Sequence, residues 1–280
     1  MSSNCGLLQC LHDHFPALPA AGWVIRPLTG LTQGSVSIEQ AGIRLIGRAP
    51  VAHSAGPGVN RRKEARILSK LRHSGFVPYV AGYSHGWLLL HRVEGDTLAP
   101  IRMASADFMP QLAELVSRLH AEPLTGYRLP LKAQVQHHYQ QMDKRRLTPR
   151  WRAVHRAFMR LPEPHPLKLA PAHMDIHPGN LILSGTKLSL IDWEYAADTD
   201  IGLSLATLFR ANNWSVPLIN TFLRYYSGYH CPQRVLLQTR RWQRRTDYMM
   251  LMWFEGRWGN TGDPQFLQHS APLMKALGIR

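Results

Sequence analysis

Residues 173–180 read HMDIHPGN and place two histidines, an aspartate and an asparagine within eight positions, between the apolar runs PLKLAPA and LILSG. His173, Asp175 and His177 alternate, so an extended chain would set all three on one face, and imidazole with carboxylate suits zinc or iron. A second chemistry uses other members of the same stretch. Asn180 follows Asp175 by five residues, and an apolar strand, a turn and a second strand then lead to Ile191, Asp192 and Trp193. In that pattern one carboxylate orients a hydroxyl and takes its proton, while a carboxamide and a second carboxylate offer hard oxygens to magnesium. A third reading is a polar turn without chemistry. The eight positions by themselves leave all three open.

The elements that must position these groups change character along the chain. The first ninety residues read as short strands at WVIRPL, SVSIEQ, IRLIGRA, FVPYVAGY and GWLLLHR, by period-two alternation or short apolar runs. One helix interrupts them from about Asn60 to His73, where Ala65, Leu68 and Leu71 recur every third residue. This predicts a five-strand antiparallel sheet with a helix after its third strand, in an N-lobe over residues 1–92. Residues 93–98 mark a hinge, and 99–280 a larger, mainly helical lobe. Helical periodicity runs through DFMPQLAELVSRLHAE, QVQHHYQQM, PRWRAVHRAFMRL and nearly everything after Leu203. Within that lobe LILS and LSLIDW flank SGTK as a hairpin. The predicted class is α+β in two lobes.

Composition narrows the partners. With 45% hydrophobic and 18% charged residues the chain is globular rather than disordered. Apolar runs such as WLLLH and IGLSLATLF stop short of the roughly 20 residues a membrane helix needs, so no membrane partner is expected. The start, MSSNCGLLQCLHDHF, lacks a basic lead and has a broken apolar segment, so no secretory signal is read there. Cys5, Cys10 and Cys231 show no zinc spacing, and their odd number fits a reducing cytoplasm. A net charge of +15 favours anionic ligands in general. The basic clusters DKRRLTPRWRAVHR and RRWQRR read as solvated helix faces, since Trp151, Val154 and Phe158 repeat at helical spacing beneath the arginines. Neither zinc-finger spacing nor an aromatic RNA-binding signature is present, so no specific nucleic acid is expected.

HMDIHPGNLIL followed by LSLIDWEYA resembles the aminoglycoside phosphotransferase and choline kinase family, whose fold is protein-kinase-like. Within that family, IDWEYAADTDIGLSLA and WFEGRWGNTGDPQF are most similar to the bacterial thiamine kinases. The match covers roughly residues 170–210 and 240–268, and the N-terminal lobe agrees only in outline. The resemblance implies ATP and Mg2+ as cofactors and phosphorylation of the primary hydroxyl of thiamine. It implies Asp175 as the residue orienting that hydroxyl, and Asn180 and Asp192 as the magnesium ligands. Choline, another amino-alcohol or an aminoglycoside is the alternative acceptor; a non-catalytic nucleotide-binding module is the alternative of another class. Asp200 follows Asp192 by eight residues, which leaves no room for a protein-kinase activation segment and points to a small acceptor.

The resemblance extends less firmly to the nucleotide. GLTQGS, residues 30–35, lies where a glycine-rich phosphate loop belongs, with Gly30, Gly34 and Ser35 as its candidates; a plain strand-connecting turn is the alternative. The third strand ends in Arg48 where the family has lysine, and Glu64 on the next helix is its expected partner. Arginine keeps the charge but is bulkier and more weakly hydrated than lysine. Asp200 is expected to cap the helix after it, and His173 and His177 to bond loop backbone rather than act as bases. On the acceptor side, WEYA and MWFEGRW set aromatics beside acids, making Trp193, Glu194, Trp253 and Glu255 candidates. An aromatic face attracts a flat or quaternary cation by about 0.5–2 kcal/mol. The alternative for Trp253 and its methionine neighbours is helix core.

Overall fold

A computed structural model describes residues 3–28, 34–51 and 59–279, with the side chains of residues 3 and 4 outside that description. The chain divides into two compact units, one of Met1–His53, Val59–Ser105 and Asp175–Ala196, the other of Ser54–Gly58, Ala106–Met174 and Ala197–Arg280. The HMDIHPGN loop from Asp175 onward and the hairpin after it group with the first unit.

That first unit is built on a five-strand antiparallel sheet. Its strands are β1 (Val24–Pro27), β2 (Ser35–Gln40), β3 (Ile43–Arg48), β4 (Val80–Ser84) and β5 (Trp87–His91), in the order β1-β2-β3-β5-β4. Two-residue turns with positive φ close two of its hairpins, Ala41-Gly42 at 49° and 82°, and His85-Gly86 at 50° and 78°. Such turns match the right-handed twist of the strands they join. A helix in the expected place, Arg61–Lys70, follows β3 and ends three residues before His73. Its N-cap Asn60 accepts the Lys63 amide at 3.1 Å, and Glu64, Ala65, Ile67 and Leu68 form its buried face.

One helix was not anticipated. Ser3–His14 is helical and is α1, which makes Arg61–Lys70 α2. Leu7, Cys10 and Leu11 are spaced i, i+3 and i+4, and they are buried in one cluster with Ile38, Leu45, Trp87 and Leu89. Three anchors among polar residues make a weak periodic signal, and the sheet supplies the apolar surface that completes it.

The hairpin expected at SGTK is present as β8 (Leu181–Ser184) and β9 (Lys187–Leu190); β7 (Leu169–Ala172) belongs to the second unit. Residues 93–98 contain a two-residue strand, β6 (Asp96–Thr97), paired antiparallel with β8. Gly95, at φ 125°, sits where a Cβ would collide with the Leu183 carbonyl, so only glycine allows this pairing. Leu98 N donates to Leu181 O at 2.9 Å and Leu190 N to Phe76 O at 2.8 Å, fastening both strands at the open end of the hairpin.

The second unit is mainly helical: α3 (Met109–Ala121), α4 (Leu131–Gln141), α5 (Pro149–Arg160), α6 (Ile201–Ala211), α7 (Val216–Tyr225), α8 (Pro232–Thr261) and α9 (Gln265–Leu277). β7 pairs with β10 (Ala197–Asp200) at its centre. The core joins Leu131, Val135, Trp151, Phe158, Leu203, Trp242, Tyr248, Leu251, Leu273 and Leu277. α8, 30 residues and about 45 Å long, touches α4, α6 and α9. Gly259 lets α8 approach α4 closely, since a Cβ there would collide with the Gln141 carbonyl. On α5, Arg152, Arg156 and Arg160 are exposed while Trp151 and Phe158 are buried, the solvated basic face read from the sequence. No helix among the described residues is long and apolar enough to cross a membrane.

One buried and one half-buried histidine give this unit a pH dependence. His120 has Nδ1 2.7 Å from the Tyr226 hydroxyl and Nε2 2.9 Å from the Ser204 hydroxyl; burial, with help from the Lys168 charge, pushes its pKa down to about 3. Burial, then the charges of His137 and Arg257, push His138 down to about 4. Below the ordinary histidine value of about 6.5 the unfolded chain binds protons that the folded unit refuses. Stability is therefore fully present above about pH 6.5 and falls with pH through that window, by at most about 1.4 kcal/mol per pH unit for each histidine. Urea midpoints should drop clearly between pH 7 and pH 5; equal midpoints would contradict the assignment.

Candidate active site

Asp175, Asn180 and Asp192 lie within the first unit, and the β8–β9 hairpin fixes their separation. Asn180 stands just before β8 and Asp192 just after Ile191, whose N donates to Asn180 O at 3.0 Å, so the two ends of the hairpin are tied together. Asn180 Nδ2 donates to Asp175 O at 2.9 Å and to Asp175 Oδ2 at 3.0 Å. The carboxamide nitrogen is thereby spent on Asp175, and Asn180 Oδ1 is the atom left to meet a cation.

His177 bonds loop backbone as expected: its Nδ1 accepts from Gly179 N at 3.1 Å. Its Nε2 lies 3.6 Å from Asp175 Oδ2, and that carboxylate raises the imidazole pKa above its ordinary value. Because Nδ1 is already an acceptor, the geometry favours the neutral ring with its proton on Nε2, facing Asp175. His173 is fully enclosed. Among the described residues no group of three His, Cys, Asp or Glu side chains is placed to hold a metal, which removes the zinc or iron reading of the loop.

Arg48, at the end of β3, lies at the centre of a buried charge cluster. Its Nη1 is 3.0 Å from Glu64 Oε1, and its Nη2 is 2.7 Å from Asp192 Oδ1 and 2.9 Å from Glu194 Oε2. Arg48 is 4% exposed and Glu64 0%. Burial opposes the guanidinium charge, yet Glu64, Asp192 and Glu194 outweigh it and hold the Arg48 pKa above its ordinary value. Burial, then the nearby Asp192 charge, raise the Glu194 pKa above its ordinary value, against the pull of Arg48 and Arg61. Asp192 Oδ1 and Glu64 Oε1 have no aligned hydrogen bond despite these short distances, so their contacts with Arg48 are ion pairs. Asp192 itself holds φ at 64°, a left-handed conformation that aspartate adopts more readily than most side chains.

Of the phosphate-loop candidates, Gly30 lies outside the described residues. Gly34, at φ 104°, accepts from Ala49 N at 2.9 Å, and Ser35 is the cross-strand partner of Arg48. The end of β3 and the start of β2 are thus brought together.

The acceptor-side candidates occupy other surroundings than expected. Trp193 is 1% exposed, stacks on Phe76 at 6.4 Å and donates its Nε1 to Leu190 O at 2.8 Å, so it presents no face to a cation. Glu194 is bound by Arg48 and Arg61. Glu255, in the second unit, is fully buried and held by both Arg146 Nε at 2.7 Å and Nη2 at 2.8 Å. Trp253 packs edge-on against Phe254 and Phe266, with the Arg257 guanidinium 5.8 Å from its ring. Adjacent aromatics and acids suggested a cationic pocket; the arginines that claim these acids are distant in sequence.

Asp200 caps α6 as expected and does more. It accepts from Gly202 N at 3.2 Å, Leu167 N at 3.1 Å, the Trp242 indole N–H at 2.6 Å and the Gln238 amide at 2.5 Å. Two residues escaped sequence reasoning. Asp198 accepts from Thr125 N, Thr125 Oγ1 and Gly126 N, a loop anchor without a local sequence signal. Arg61 bridges Glu64 at 2.8 Å and Glu194 at 3.1 Å; its i,i+3 spacing from Glu64 was the available clue.

Residues 45–242 match the phosphotransferase enzyme family, most of the chain. The chain belongs to the phosphotransferase enzyme family. Among curated relatives of this family member, the thiamine kinase of Escherichia coli O139:H28 (strain E24377A / ETEC) is 35% identical over 256 residues, covering 90% of this chain and 89% of that protein. The thiamine kinase of Shigella flexneri serotype 5b (strain 8401) is 35% identical over 259 residues with the same coverage. Among solved structures, a choline kinase from Streptococcus pneumoniae superposes with a TM-score of 0.75 at 17% identity, covering 96% of each chain. A GDP complex of aminoglycoside 2'-phosphotransferase-IIIa gives 0.66 at 17% identity, over 99% of this chain and 98% of that one. The phosphotransferase therefore has the α+β protein-kinase-like fold expected from the resemblance of its HMDIHPGN loop and hairpin.

Proposed function

We propose that this phosphotransferase is an ATP-dependent thiamine kinase, transferring the γ-phosphoryl of ATP to the primary hydroxyl of thiamine. The observation that carries the reading is 35% identity across 90% of the chain to proteins named thiamine kinase, against 17% to the choline kinase and aminoglycoside enzymes that share the fold. In this reading the Asp175 carboxylate orients the acceptor hydroxyl and accepts its proton as the O–P bond forms. Asn180, holding Asp175 through its Nδ2, keeps that carboxylate aligned.

Asn180 Oδ1 and Asp192 would hold Mg2+. The fit rests on Asp192 Oδ1, a buried oxygen without an aligned hydrogen bond, and on an all-oxygen donor pair suited to a hard cation. Bound there with ATP, the ion supplies charge neutralisation to the phosphates. Arg48 takes the lysine position against the phosphates, positioned by Glu64, and Gly34 and Ser35 border them. With Cys5, Cys10 and Cys231 all free thiols, we assign the enzyme to the reducing cytoplasm.

The test is ADP release with ATP and magnesium plus thiamine, choline or an aminoglycoside in separate reactions. Thiamine-dependent release is expected. Release with choline or the aminoglycoside alone would replace the acceptor, and release with none would remove the kinase reading.

A further inference from the structure

Arg48 cannot serve phosphates and three carboxylates at once, and the same cluster holds a second guanidinium. Arg48 Nη2 is shared between Asp192 Oδ1 at 2.7 Å and Glu194 Oε2 at 2.9 Å, while Nη1 meets Glu64 Oε1 at 3.0 Å. Arg61, 8% exposed, places Nη1 2.8 Å from Glu64 Oε2 and 3.1 Å from Glu194 Oε2. Its Nε donates to Ala49 O at 3.0 Å, the carbonyl directly after Arg48, so it is tied to the end of β3. Glu64 and Glu194 are thus each held by both arginines, whereas among the described residues Arg48 is the only cation paired with Asp192.

This asymmetry has a direct electrostatic consequence. If Arg48 were the only cation, drawing it toward a phosphate would strip two buried carboxylates of their counterion, a steep penalty in a water-poor setting. With Arg61 in place, Glu64 and Glu194 keep a partner while Arg48 moves, and Asp192 is freed for metal. Glu194 Oε2, 2.9 Å from Arg48 Nη2, occupies the donor that a phosphate would need.

We propose that Arg61 is a positioning residue for nucleotide binding: it keeps Glu64 and Glu194 neutralised so that Arg48, at the end of β3, is released from Asp192 to the ATP phosphates. The inference rests on the kinase reading above.

The test is titration of a fluorescent ADP analogue into the full chain and its variants, with and without Mg2+, beside circular dichroism and acceptor KM. Arg61→Gln is expected to weaken ADP binding about tenfold in both conditions, the size of one charge-assisted contact, with acceptor KM unchanged. Arg61→Lys should fall between. Glu194→Gln alone should bind ADP as tightly as the parent or more tightly, and adding it to Arg61→Gln should restore affinity to within about threefold of Glu194→Gln. A purely structural Arg61 would instead lower the melting temperature and weaken nucleotide and acceptor together, which overturns the proposal. So does weaker ADP binding by Glu194→Gln, a result that decides the matter even if Arg61→Gln does not fold. A parent protein that binds no ADP would remove the kinase reading itself and this inference with it.

Discussion

Asp175→Asn should lower kcat by about 10²–10⁴-fold, the usual contribution of a positioned general base, while leaving ADP affinity within about twofold of the parent. The substitution is conservative where it matters for folding. Asn180 donates to the backbone carbonyl of residue 175 as well as to Oδ2, and an asparagine still offers one side-chain oxygen, so the loop keeps its shape. What is lost is a carboxylate able to take the hydroxyl proton. Single-turnover kinetics with saturating ATP would measure the chemical step alone. A rate within tenfold of the parent would move the base elsewhere, and His177, 3.6 Å from Asp175 with its Nδ1 already occupied, would need re-examination.

Asp200→Ala should be the most destabilising single change in the second unit. The carboxylate is 2% exposed and accepts from two backbone amides, an indole N–H and a carboxamide, drawn from the segment before β7, the start of α6 and the middle of α8. Alanine would leave those donors buried without partners, and at about 1 kcal/mol or more for each the loss is at least about 4 kcal/mol. That is a large share of the roughly 5–15 kcal/mol that holds a typical domain together. Asp200→Asn, which keeps one acceptor oxygen and offers a misplaced donor, should lose less. Urea unfolding of both variants checks the order; a loss under about 1 kcal/mol for the alanine variant would show that water replaces the carboxylate.

The parts of the site legible in the sequence are those set by short-range geometry. The clustering of Asp175, Asn180 and Asp192 around one hairpin could be read because a loop, a hairpin and a strand end place them by local rules, and the turn at SGTK signals the hairpin. Strand alternation likewise located the five-strand sheet, and α2 announced itself through its periodic face. Long-range pairing was not legible. Glu194 sits beside Trp193 in sequence, which suggested an acid for a cationic acceptor, but its partners Arg48 and Arg61 are 146 and 133 residues away. Trp193 faces Phe76 for the same reason, and α1 becomes a helix only where the sheet covers Leu7, Cys10 and Leu11.

The division of the chain into interleaved units constrains how it is made. The first unit cannot complete its three-strand sheet until residues 181–190 have been synthesised, after the first stretch of the second unit has already emerged. The core of the second unit waits longer, because Leu273, Leu277 and Ile279 are buried in it alongside Leu131 and Trp151. Apolar surface from α4 and α5 is therefore left uncovered through the synthesis of residues 161–231, before α8 begins at Pro232 and α9 at Gln265. A nascent chain of this design completes its second unit only once α8 and α9 have emerged, and until then the apolar faces of α4 and α5 are open to aggregation.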